Sequence, residues 1–112
     1  MMITMQLYYT GKNGNALKFA QEMEKDGIAD KIRAAEGNLA YRYYQSLTDP
    51  ETILLVDSWK DQAALDDHHA SPMMQDILDL RQKYQLNVQA ERYISDAAGI
   101  PENDRDYLKN ER

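Results

Sequence analysis

The chain has 112 residues, a formal charge of −6, a pI near 4.8 and no cysteine. That length is one domain's worth and buries only about two thirds of its unfolded surface alone, so burial against a partner chain would add stability. The acidic balance, without any run of Lys or Arg, argues against nucleic acid and anionic membranes as partners, and the absence of cysteine excludes disulfides, thiolate catalysis and Cys-ligated metal.

The start, MMITMQLYYTGKNG, lacks a basic segment followed by a long apolar run. No later stretch approaches the length that crosses a bilayer, so the expected location is the cytoplasm. Ile3, Met5, Leu7 and Tyr9 alternate with Thr4, Gln6 and Tyr8, which reads as a half-buried strand ended by Gly11-Lys12-Asn13-Gly14. Asn15 is the expected cap of a helix whose buried stripe is Ala16, Phe19, Ala20 and Met23. Gly27 interrupts that helix, Ile28, Ile32 and Ala35 resume a helical face, and Gly37-Asn38 stops it; one kinked helix or two short ones fit equally.

Leu39–Leu47 reads as a second strand with Leu39, Tyr41, Tyr43, Gln45 and Leu47 on one face and Ala40, Arg42, Tyr44 and Ser46 on the other. Thr48-Asp49-Pro50-Glu51 turns the chain into a third strand, in which Ile53, Leu55, Asp57 and Trp59 share a face. Asp61 can then cap a helix by accepting from the N–H of Ala63 or Ala64, and Ala64, Leu65 and His68 lie on the side that meets the sheet. Ser71-Pro72 breaks this helix and opens another, with the serine oxygen available to an orphan N–H and Met73, Ile77, Leu80 and Tyr84 as its apolar stripe. Leu86–Ile94 is a fourth strand, with Val88, Ala90 and Ile94 opposite Gln89, Glu91 and Tyr93. The order β, α, β, β, α, β is that of an α+β, ferredoxin-like split βαβ unit, a four-stranded antiparallel sheet with helices on one face. Leu, Tyr and Val on the second face would leave an apolar patch suited to association. Residues 1–95 form this domain and 96–112 a charged extension, in which Pro101 opens a short helix anchored by Ile100, Tyr107 and Leu108.

Asp57-x-Trp59, Ala63-Ala64-Leu65 and His68-x-x-Ser71-Pro72, preceded by Glu36-Gly37-Asn38-Leu39 and Asp49-Pro50, resemble the antibiotic biosynthesis monooxygenase domain over roughly Met2 to Ser95. The resemblance implies a homodimer built sheet against sheet as a dimeric α/β barrel. It also implies a quinol-monooxygenase-like activity on an electron-rich aromatic small molecule with molecular oxygen, without flavin, haem or metal. In that mechanism His68 is the base, and Trp59 with a strand tyrosine or Arg42 orients the anion. The haem-degrading branch of the fold carries tryptophan at the position of His68 and an iron-binding histidine near Leu78, so it matches less well. A non-oxygenase domain that binds or isomerises a small metabolite is the alternative.

Each candidate also has a plainer reading. A neutral imidazole in an apolar site can take a proton from a phenol, yet His68 also fits an interface histidine. Trp59 can stack on a ring or fill the core. Tyr41, Arg42, Tyr43 and Tyr44 can bond a phenolate or pack across strands, and Met73 can line an adaptable cavity or an ordinary core. Adjacent positions on a helix diverge, which speaks against a metal held by Asp66, Asp67, His68 and His69.

Overall fold

A computed structural model of the chain describes residues 1–108. Four strands, β1 (Ile3–Thr10), β2 (Asn38–Gln45), β3 (Thr52–Trp59) and β4 (Asn87–Ile94), form one antiparallel sheet in the order β2-β3-β1-β4. Helices α1 (Asn15–Lys25) and α2 (Ile28–Arg33) join β1 to β2, and α3 (Gln62–His69) and α4 (Pro72–Lys83) join β3 to β4. This is the ferredoxin-like α+β arrangement expected from the element order. Among the described residues no helix is long and apolar enough to cross a membrane.

Register sets which side chains meet. Tyr41, Asp57, Met5 and Arg92 lie in one row across the sheet, and Tyr43, Leu55, Leu7 and Ala90 in the next. Strand alternation turns these rows toward the helices, where Ile3, Tyr9, Tyr41, Ile53, Leu55 and Trp59 are buried with Phe19, Met23, Ile32, Leu65 and Ile77. The opposite face carries Thr4, Gln6, Tyr8, Arg42, Tyr44, Leu54, Val56, Glu91 and Tyr93. That face is more polar than the expected apolar patch, since Gln6, Arg42 and Glu91 stand among the apolar positions.

Several local expectations are corrected. Gly14, in the left-handed region at φ 72°, caps α1, while the Asn15 amide donates to the Tyr84 carbonyl at 3.0 Å. Of the two arrangements that fitted the interrupted helix, two short helices is the one found, because Gly27 at φ 77° serves as the N-cap of α2. β2 starts one residue early, with the irregularity in its register at Leu39 leaving that side chain half exposed; it ends before Leu47, which stands in solvent where the Ser46 hydroxyl accepts from the Thr48 and Asp49 N–H groups. In the extension a short helix, α5 (Glu102–Arg105), follows Pro101 as expected, but Ile100, Tyr107 and Leu108, its expected anchors, are exposed.

Gly37 sits where β2 meets the start of α3. Its φ is 84°, its carbonyl accepts from Lys60 N–H at 2.9 Å, and a Cβ there would lie 2.6 Å from the Cβ of Ala64. Gly37→Ala is expected to cost about 2–4 kcal/mol in urea unfolding, combining backbone strain and overpacking. Gly14→Ala has the same sign of φ and open space around it, so its cost should be only about 1 kcal/mol. Equal losses would show that the contact with Ala64 does not matter.

Candidate active site

Asp57 and Trp59 are two residues apart on β3, so both point at the helices, and the Trp59 indole N–H donates to Asp57 Oδ1 at 2.6 Å. The Asp61 carboxylate accepts from Ala64 N–H at 2.9 Å and starts α3 there. From that start Ala64, Leu65 and His68 come round to the sheet and are buried. The His68 ring stacks on Trp59 with centroids 4.8 Å apart and planes 21° from parallel. The Ser71 hydroxyl donates to the His68 carbonyl at 2.7 Å and closes the turn behind it; it does not cap α4, as the sequence had suggested.

Tyrosines complete the cluster. Tyr41, opposite Asp57 in the sheet, presents its ring edge to His68 at 6.3 Å, and the Tyr43 hydroxyl donates to the Tyr41 hydroxyl at 3.3 Å. From α4, Arg81 donates through Nη2 to the Tyr9 hydroxyl at 2.8 Å and lies 5.2 Å from the Tyr9 ring centre. Two buried nitrogens among these groups have no hydrogen-bond partner, His68 Nδ1 and Arg81 Nε. Unpaired polar atoms at such depth are uncommon and mark a place where a polar guest gains most.

Burial governs the protonation states. It lowers His68 to about 4, with the charges of His69 and Arg81 pushing the same way. It raises Asp57 to about 6, opposed by the Trp59 hydrogen bond and the Arg81 charge. Tyr41 and Tyr43 are pushed well above their ordinary value, again chiefly by burial. At neutral pH the imidazole is therefore a free-base acceptor and the phenols remain protonated.

The strand period divides the sequence-predicted set. His68, Trp59, Tyr41 and Tyr43 come together; Arg42 and Tyr44 stand on the open face of the sheet, away from His68, because alternate residues of β2 face opposite ways. Met73 packs half-buried at the edge of the core on α4. His69 is exposed, and among the described residues no three His, Asp or Glu side chains gather in a way that could hold a metal ion. Sequence reasoning missed Arg81 and Tyr9 as site members. Arg81 follows the buried Ile77 by four positions, which was the available signal that it faces inward.

The two shifted groups act oppositely on stability. His68 binds a proton less readily folded than unfolded, so stability is lost as pH falls from about 6.5 to about 4. Asp57 binds one more readily folded, so stability is gained as pH falls from about 6 to about 3.8. In the native protein the two effects oppose one another. Asp57→Asn should therefore lose stability over pH 6.5 to 4, and His68→Gln should gain it, in urea midpoints measured across that range. Unchanged pH profiles in both variants would contradict these assignments.

The model of the antibiotic biosynthesis monooxygenase family matches residues 2–80. The candidate monooxygenase YcnE of Bacillus subtilis is 28% identical over 74 residues, covering 66% of this chain and 76% of that protein. Among solved structures, a candidate antibiotic biosynthesis monooxygenase from Deinococcus radiodurans superposes with a TM-score of 0.73 at 21% identity, covering 86% of this chain and 93% of that one. SnoaB, a cofactor-independent oxygenase from Streptomyces nogalater, does so with a TM-score of 0.71 at 12% identity, covering 85% and 93%. With its fold shared by these proteins and the family match running through Asp57, Trp59 and His68, the chain belongs to the antibiotic biosynthesis monooxygenase family.

Proposed function

We propose that this chain is a cofactor-independent monooxygenase acting on a quinol or similarly electron-rich aromatic. The observation that carries the reading is the buried free-base imidazole of His68, stacked on Trp59 with Nδ1 unpartnered, in a cluster that also leaves Arg81 Nε unpartnered. SnoaB, similar in fold, is itself a cofactor-independent oxygenase. Access runs over β4, where Ala90 and Arg92 are exposed on the helix side of the sheet while Met5 and Leu7 beside them are half-buried.

The chemistry needs no outside reductant. His68 takes the proton of a ring hydroxyl, and the resulting anion gives one electron to dioxygen. The radical pair then combines to form a C–O bond at a ring carbon that carries hydrogen. Loss of water from that hydroperoxide leaves a carbonyl, so a quinol and one dioxygen become a hydroxyquinone and one water. The substrate supplies both electrons and both hydrogens of the water. An ordinary phenol titrates near 10, roughly six pK units above His68, and full transfer would cost about 8 kcal/mol at ~1.4 kcal/mol each. The Arg81 guanidinium lowers that cost by stabilising the anion, and an anionic guest in turn raises the basicity of His68. Trp59 holds the imidazole plane, and burial keeps the radical pair from water.

Oxygen uptake by metal-free and flavin-free protein over a panel of quinols is expected, falling about 10²–10⁴-fold in His68→Ala. No uptake would instead favour a domain that binds or isomerises a small metabolite, and uptake indifferent to His68 would contradict its role as the base.

The same reading pairs two copies through the open sheet face, where Leu54 and Val56 are only half-buried and Tyr44 and Tyr93 are about half exposed. Sedimentation should then give twice the 13.0 kDa chain mass, and Val56→Lys should shift it toward the single chain. A monomer at high concentration would contradict the pairing.

A further inference from the structure

β4 carries a cation that the fold does not use. Its helix-side residues are Val88, Ala90, Arg92 and Ile94, in register with Tyr9, Leu7, Met5 and Ile3. Arg92 is thus the one charged member of an otherwise apolar row of side chains. It forms no ion pair with any described residue. The neighbouring carboxylate is on the other side, since Glu91 turns to the open face beside Tyr8 and Tyr93, whose phenols its charge pushes up. In a chain of net charge −6, an unengaged guanidinium on the working side of the sheet calls for a partner from outside.

Position says what that partner is. Arg92 stands opposite Met5, which stands opposite Asp57, so Arg92 is two strand spacings, roughly 10 Å, from the carboxylate that holds Trp59 under His68. The floor between is Met5 and Leu7, which offer an apolar surface to a flat ring. A ring lying there with its reactive hydroxyl at His68 would present its far substituent to Arg92. Resting on the oxygenase reading of the site, we propose that Arg92 is a specificity-determining residue that binds a carboxylate on the far side of the ring, so that the preferred substrate class is a carboxylated quinol. Arginine suits this task because its planar fork meets a carboxylate with two parallel hydrogen bonds.

Trp59 is the only tryptophan, so quenching of its fluorescence reports arrival of a ring at the site without requiring turnover. The probes are 2,5-dihydroxybenzoate and its neutral methyl ester, titrated at low salt. The native protein should bind the carboxylate about tenfold more tightly than the ester, the value of one charge-assisted contact. In Arg92→Gln the carboxylate should weaken to the level of the ester while the ester is unchanged, and Arg92→Lys should keep part of the preference. High salt should shrink the preference in the native protein. A preference that survives in Arg92→Gln, or a native protein that shows none, overturns the proposal. Binding is read apart from oxygen uptake, so a protein that discriminates the two probes yet consumes no oxygen would overturn the oxygenase reading and leave the carboxylate site standing.

Discussion

The hydrogen bond from the Trp59 indole to Asp57 organises this molecule. It fixes the plane of the only tryptophan from within a single strand, and that plane is the surface on which His68 stacks. Asp57 is 3% exposed, so its carboxyl group tolerates burial only because it has a donor, and the same burial raises its proton affinity. The imidazole above has the opposite problem, being stripped of water without a partner for Nδ1. A small domain that could have filled this space with leucine has instead spent it on a carboxyl, an imidazole, three phenols and a guanidinium. Such a cluster stabilises poorly compared with an apolar core, so its presence is better explained by chemistry than by folding.

The sheet's two sides and two ends are used differently. The helices bury residues of β1 and β3 and Tyr41 of β2, whereas β4 is left exposed along nearly its whole length. Because β4 pairs only with β1, it is an edge of the sheet, with Ala90 and Arg92 exposed beside the half-buried Met5 and Leu7. The polar cluster is backed by the rings of Phe19, Tyr41 and Tyr43. Ser95, whose N–H donates to the Met2 carbonyl, launches the extension from the end of the sheet where Ile3 pairs with Trp59. The extension thus leaves the domain near the site, with Ile100, Tyr107 and Leu108 exposed.

Much of the architecture was legible because periodicity is a direct consequence of backbone geometry. The stripe Ala16, Phe19, Ala20, Met23 and the triad Ala64, Leu65, His68 are buried as the spacing required. What periodicity could not supply was which face of β2 met the helices, since Tyr41, Tyr43 and Tyr44 are chemically alike; only pairing with Asp57 in β3 decides it. No local signal ties Arg81 to Tyr9, seventy-two residues away. Capping was least legible. Asn15 and Ser71 are both good cap residues, yet each spends its side chain on a carbonyl because Tyr84 and His68 bring one within reach.

His68 is held as a free base, stacked against Trp59 and stripped of water. The most direct test is an NMR titration of the His68 ring carbons from pH 3 to 8 in the native protein. A ring that stays neutral down to roughly pH 5 and takes its proton only near 4 agrees with the account. A ring that titrates near 6.5, the value of a solvated histidine, would mean that the imidazole is wet, and the chemistry assigned to it would have to be given up.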